Sequence, residues 1–303
     1  MNKSILQSIM PVLVLIQLAS ASAFAKPLPV IYGNDDRKDL ADLGDSPLRT
    51  LADSTVALFK DRDVSSGFLG GGMKLRGGSF QKQKNVCSFE PFADQPAGAF
   101  CSGTLIAKNL VLTAGHCITT EAQCRSTQLV FGFDVAEKDV YPLRMNRSQV
   151  YRCSRIIARH EDDHTRRDFA VIELDRDVMD HAPVKIAAPA DANPAVGSNV
   201  VMIGHPYGLP TKVDAGGAVR SAEDPNYFVA TTDSYSGSSG SGVFDPQTHE
   251  IVGILVSGEE EDFIFDSLNH CFVSKRCSVD ACGGEKVSRV SFVPAMIRKF
   301  ARY

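Results

Sequence analysis

The sequence predicts an all-β protein of two antiparallel β halves closed by one C-terminal helix. Three observations carry this. Strand-like apolar runs are short and frequent, and most are bounded by Gly, Pro, Asn, Asp or Ser, with no helical runs between them. An Ala- and Pro-rich stretch, residues 182–198, divides these runs into two groups and reads as a linker. A helical spacing of apolar residues appears only after Pro294.

The first 25 residues stand apart from the fold. Lys3 is their only charge, an apolar run covers residues 9–18, and Ala23-Phe24-Ala25 places small residues where an export peptidase reads. This pattern predicts a signal peptide at residues 1–25, cut before Lys26. The run holds Pro11 and Gln17 and falls short of the roughly 20 apolar residues that span a bilayer. No membrane association is therefore expected after cleavage, and the destination is extracellular or periplasmic. Residues 26–53 are either a short propeptide or the start of the mature protein.

In the first half, residues 54–181, strands are expected at residues 55–59, 100–106, 110–112, 129–133, 150–157 and 169–174. In the second half, residues 199–303, they are expected at 200–203, 228–231, 251–256 and 287–292. The helix follows at residues 295–302, with Met296, Ile297 and Phe300 on one face and Arg298, Lys299 and Arg302 mostly on the other. Residues 64–86 carry six glycines with Lys74, Arg76, Lys82 and Lys84, and read as a solvated loop.

The formal net charge of −4 gives no support for nucleic-acid binding. All eight cysteines follow the signal peptide, which in an exported protein points to disulfides. Cys277 and Cys282 lack a second ligand pair at zinc-site spacing, so no metal is expected.

Three strings carry chemistry. Thr113-Ala114-Gly115-His116-Cys117 supplies an imidazole. Arg167-Asp168-Phe169-Ala170-Val171 supplies a carboxylate leading into an alternating apolar run. Gly237-Ser238-Ser239-Gly240-Ser241-Gly242 supplies a hydroxyl in a turn. A base, an acid that fixes its tautomer and an activated hydroxyl are the parts of a nucleophilic acyl-transfer site. Asp162, Asp163 and Asp175 compete with Asp168, but the first two sit in a polar stretch and the third follows the strand as a turn residue.

These strings, together with Phe100-Cys101-Ser102-Gly103-Thr104-Leu105-Ile106, resemble the trypsin- and chymotrypsin-like serine peptidases. Asn34-Asp35-Asp36-Arg37 and Gly204-His205-Pro206-Tyr207-Gly208-Leu209-Pro210 resemble segments of the bacterial glutamyl endopeptidase-like branch. The resemblance spans about residues 30–293. It implies two six-stranded barrels of the chymotrypsin type, with His116 as general base, Asp168 orienting it and Ser239 as nucleophile. It further implies an oxyanion hole from the N–H groups of Gly237 and Ser239, and a Cys101–Cys117 disulfide pinning the histidine loop. The pairing of Cys87, Cys124, Cys153, Cys271, Cys277 and Cys282 stays open. His205 is expected to be structural. No cofactor is implied; protein or peptide substrates and a monomer are.

Two departures stand out. Ser238 precedes the nucleophile, where animal digestive members carry an aspartate that pairs with a newly cut N-terminus. Gly242 replaces the usual proline. By the same resemblance, Asp233 would lie at the floor of the substrate pocket and Gly258 would keep its wall open, implying cleavage after Arg or Lys. Leu255 stands where glutamyl-specific enzymes place a histidine, and Glu259, Glu260, Glu261 and Asp262 would give the cleft an acidic rim. The rival expectation is a non-catalytic or narrowly specific, toxin-like homologue that binds a protein partner.

Overall fold

A computed structural model describes residues 31–300 apart from 68–71, 163, 166, 190, 259 and 260, and the side chains of 298–300 are also left aside. The expected signal peptide, the first residues of segment 26–53, Asp163, Glu259 and Glu260 lie outside the described residues.

Alternating and continuous apolar runs in the first half become six strands: β1 (Thr55–Lys60), β2 (Cys101–Ala107), β3 (Leu110–Thr113), β4 (Thr127–Phe131), β5 (Val150–Asp162) and β6 (Arg167–Leu174). They close as an antiparallel barrel in the order β4-β5-β6-β3-β2-β1. Val56, Leu58, Leu105, Val111, Leu112, Leu129 and Ile172 fill it at 0% exposure. The second half forms β7 (Asn199–Gly204), β8 (Lys212–Ser221), β9 (Tyr227–Ala230), β10 (Gly242–Phe244), β11 (Ile251–Ser257) and β12 (Glu285–Arg289). Their order is β7-β10-β11-β12-β9-β8, closed by β7–β8 pairing, with the short strand Arg37–Lys38 added to β8 at Val213 and Asp214. Both halves are six-stranded antiparallel barrels, as the sequence predicts.

Neither β8 nor β10 is legible as a strand beforehand. In β8, Gly216 and Gly217 interrupt the apolar pattern. The structure needs glycine there because a Cβ on Gly216 would lie 2.1 Å from the Asp36 carboxylate, and one on Gly217 would lie 2.5 Å from Thr232 Cγ2. These glycines admit close neighbours and do not end the strand.

Helix α1 (Pro47–Asp53) is capped by Ser46, whose hydroxyl accepts the Leu48 N–H. The stretch read as a solvated loop is in part core. Helix α2 (Phe80–Lys84) presents Phe80 at 0% exposure to Tyr207, Tyr235 and Phe263, with ring centroids 5.1–5.9 Å apart. One aromatic in a glycine- and lysine-rich stretch therefore anchors it to the second half. Helix α3 (Glu121–Arg125) follows the histidine turn, with Thr120 as its cap. Helix α4 (Val293–Phe300) ends the described chain and returns to the first half, where Val293 joins the core and Phe292 packs on Phe169 at 4.7 Å.

Four disulfides occur: Cys87–Cys271, Cys101–Cys117, Cys124–Cys153 and Cys277–Cys282. No helix among the described residues is long and apolar enough to cross a membrane.

Candidate active site

Strand register brings the histidine to the carboxylate. Thr113 of β3 pairs with Ala170 of β6, so the turn Gly115–Cys117 beyond Thr113 meets Asp168 on the adjacent strand. Asp168 grips that turn twice. Its Oδ2 lies 2.5 Å from His116 Nδ1, and its Oδ1 accepts the His116 backbone N–H at 3.1 Å. Gly115 makes the approach possible, because a Cβ there would lie 2.3 Å from the His160 carbonyl and 2.9 Å from Asp168 Oδ1. The hydrogen bond that His116 donates to the Asp168 carboxylate raises the His116 pKa above its ordinary value, and burial opposes this in part. The Cys101–Cys117 disulfide ties the turn to the start of β2. The sulfurs of Cys101 and Cys117 and the His116 imidazole approach within 4.8 Å of one another, but bridged sulfurs are not thiolates and do not form a metal site.

Ser239 reaches the same cleft from the second barrel, on the turn between β9 and β10. The Ser102 N–H donates to the Ser239 carbonyl at 2.8 Å, and the Gly240 N–H donates to Leu255 at 2.7 Å. Cys117 Sγ lies 3.7 Å from the Ser239 carbonyl oxygen. The turn is thus clamped to both barrels. Gly240 has φ +85°, and its missing Cβ would sit 2.1 Å from the Ser102 carbonyl. Gly237 has φ +92°. Among the described residues, the N–H groups of Gly237 and Ser239 donate to no other group. Such donors suit an oxygen that gains charge.

His116 and Asp168 line a cavity of about 410 Å³, and Ser239 with Gly237 lines a neighbouring one of about 320 Å³; Ser257 belongs to both. His116 and Ser239 share no hydrogen bond here, a contact that in free enzymes is often long and closes on substrate.

The structure places Asp233 away from the position given to it by resemblance. It is 1% exposed and does not line the Ser239 cavity. Its Oδ1 accepts the Tyr32 N–H at 2.8 Å and its Oδ2 the Asp36 N–H at 2.9 Å, so its carboxylate is taken up by the N-terminal segment. Its own N–H donates to Asp214, and burial pushes both carboxyls up. The acids that do line the cavity are Glu285 and Asp262. Glu285, at 0% exposure, accepts the Ser234 hydroxyl at 2.7 Å, and Asp262 accepts the Ser236 N–H at 2.8 Å. Gly258 lines the same cavity, and a Cβ on it would fall 2.0 Å from Glu285 Oε2. Sequence reasoning missed Glu285. The available signal was an acid in the same phase as Val287 on β12, where an alternating strand turns inward.

His205 is buried away from the cleft, with its N–H donating to Ser102 Oγ and its Nδ1 3.0 Å from the Leu209 carbonyl. Burial pushes its pKa down to about 3, so it stays neutral. Ser238 is fully buried and folds back on Tyr235.

A trypsin-like peptidase domain profile matches residues 101–254, just over half of the chain. No curated protein matches the sequence. Solved structures share the fold. A VesB protease of Vibrio cholerae aligns over 88% of this chain and 67% of its own, at 17% identity and a TM-score of 0.52. A Glu endopeptidase aligns over 90% and 100%, at 19% identity and 0.51. A scabies mite inactivated protease paralogue aligns over the same shares, at 16% identity and 0.51.

Proposed function

The chain belongs to the trypsin-like peptidase family, as a serine endopeptidase, and from that premise we propose that His116, Asp168 and Ser239 are its catalytic triad and that it is secreted. The observation that carries the triad is the double grip of Asp168 on His116, at the side chain and at the backbone. Ser239 Oγ attacks the peptide carbonyl carbon while His116 Nε2 takes its proton. The carbonyl oxygen, now negative, meets the N–H groups of Gly237 and Ser239. His116 then gives the proton to the leaving amine, and the acyl-enzyme forms. Water repeats the sequence, and Ser239 regains its proton. Each oxyanion donor is worth about 3 kcal/mol of transition-state stabilisation.

Export is supported by the signal-peptide pattern of residues 1–25 and by four disulfides, which persist in oxidising compartments. The fold is shared with an inactivated paralogue, so a protein-binding role is the rival reading. All three triad side-chain types are retained here, which favours catalysis.

The preferred residue before the cut is Arg or Lys. The Ser239 cavity is lined by Glu285 and Asp262, and this acidic lining supports the preference. An acidic substrate side chain would meet two carboxyls and Leu255. On a peptide panel, cleavage after Arg and Lys should exceed cleavage after Glu, Phe and Ala at least tenfold, and Glu285→Gln should shrink that margin. A panel without that margin contradicts the preference.

A further inference from the structure

The segment Ile31–Lys38 and the nucleophile turn form one hydrogen-bonded unit. Ile31–Tyr32 runs parallel to Arg276–Cys277, Arg37–Lys38 adds to β8, and the carboxylate of Asp233 holds the Tyr32 and Asp36 N–H groups. At its centre lies Arg37, with its side chain at 0% exposure. A guanidinium taken out of water must be repaid by close partners. Asp35, two residues away, supplies a paired contact at 2.7 and 2.8 Å, but that contact is local and needs no burial. The partner that needs burial is Tyr235. Arg37 Nη2 donates to the Tyr235 hydroxyl at 2.6 Å, and the guanidinium carbon lies 3.9 Å from the centre of the Tyr235 ring.

Tyr235 opens the turn that ends at Ser239. Its N–H donates to Ser238 Oγ at 3.2 Å, and its carbonyl accepts the Ser238 N–H at 2.9 Å. Ser241 Oγ in turn donates to the Ser238 carbonyl. The backbone between Tyr235 and Ser239 is therefore closed on Tyr235, and that backbone carries the N–H groups of Gly237 and Ser239. The residue before the nucleophile, Ser238, has no charge with which to anchor the turn; Asp262 accepts the Ser236 N–H at 2.8 Å, and Arg37 is the buried cation that reaches the turn, through Tyr235.

We propose that Arg37 is a positioning residue that acts through Tyr235 to hold the N–H groups of Gly237 and Ser239 in place for the developing oxyanion. This rests on the reading of Ser239 as nucleophile. Arg37 touches no substrate atom. Its removal should act on the transition state far more than on ground-state binding.

The test compares wild type with Arg37→Met, which keeps the stem but not the guanidinium, and Arg37→Lys. Each is assayed for kcat and KM on a peptide substrate, for inhibition by a peptide aldehyde that adds to Ser239 as a tetrahedral adduct, and for inhibition by the cleaved product peptide. Arg37→Met should lower kcat and weaken the aldehyde by about a hundredfold, with the product peptide within threefold of wild type. Arg37→Lys should recover part of the loss. Should Arg37→Met not fold, Tyr235→Phe keeps the ring and loses the hydroxyl contact, and is expected to show the same split at about tenfold. An unchanged kcat and aldehyde affinity, or equal losses for aldehyde and product, overturns the proposal. Fluorophosphonate labelling of the wild type is read first: an unlabelled wild type sinks the nucleophile reading itself, whereas a labelled wild type with an unaffected Arg37→Met sinks only this inference.

Discussion

Asp168 does two jobs with two oxygens. Oδ2 holds the imidazole and Oδ1 holds the backbone that carries it. The hydrogen bond to Nδ1 stabilises the imidazolium, the form that cannot accept the Ser239 proton. The inactive form therefore persists to higher pH than for a free histidine. His205 stays neutral and does not titrate in the same range. The acid limb of kcat/KM should accordingly centre above the ordinary histidine value of 6.5. Asp168→Asn should shift that limb down and lower kcat by about 10⁴. A limb that does not move, with kcat within tenfold of wild type, contradicts the role of Asp168. These residues were legible in the sequence because each sits in a short string with a fixed place beside a strand. Asp233 was not. Its position was carried over on the premise of an open pocket floor, whereas here the backbone of Tyr32 and Asp36 supplies two N–H groups that take its carboxylate. Nothing local in the sequence announces a partner some 200 residues away.

At the scale of elements, the turn that carries Ser239 depends on glycine where two barrels approach. Gly240 combines a left-handed φ with a missing Cβ that would sit 2.1 Å from the Ser102 carbonyl and 2.4 Å from Thr113 Oγ1. Both contacts belong to β2 and β3, the strands that lead to His116. Gly240→Ala should thus push the turn off the first barrel. It should cost about 2 kcal/mol or more in denaturant unfolding and lower kcat/KM more than tenfold. A variant within 0.5 kcal/mol of wild type (roughly the effect of an ordinary surface substitution) contradicts this packing. Strands with clean apolar runs, such as β1, β3, β6 and β11, were visible beforehand. β8 was hidden because its glycines serve close neighbours, and β10 because three residues give too little pattern to read.

Over the whole molecule, each barrel supplies part of the proposed site, so that site depends on how the two are fastened. Cys87–Cys271 closes a separation of 184 residues and ties the stretch after α2 to the hairpin formed by Phe263–Asp266 and Cys271–Ser274. Helix α4 returns from the second barrel to the core of the first. The sequence showed the even cysteine count and the helix, and its resemblance implied the Cys101–Cys117 bridge, but the other three pairings stayed open, because pairing is set by the fold and not by spacing. Replacing Cys87 and Cys271 together by Ser should cost up to about 5 kcal/mol of unfolding free energy by loop-closure entropy. Urea unfolding of the oxidised proteins measures it, and a difference under about 0.5 kcal/mol contradicts a fastening role.

In the proposed site, Ser239 is a nucleophile activated by His116 from the other barrel, with the oxyanion donors Gly237 and Ser239 on its own turn. Fluorophosphonate labelling of the purified, folded protein, read by peptide mass spectrometry, tests it most directly. The phosphorus is attacked by an activated serine oxygen and fluoride leaves. One label per chain is expected, on Ser239, with none on Ser239→Ala and slow labelling of a His116→Ala variant. A folded wild type that takes no label, or takes it on another residue, contradicts it.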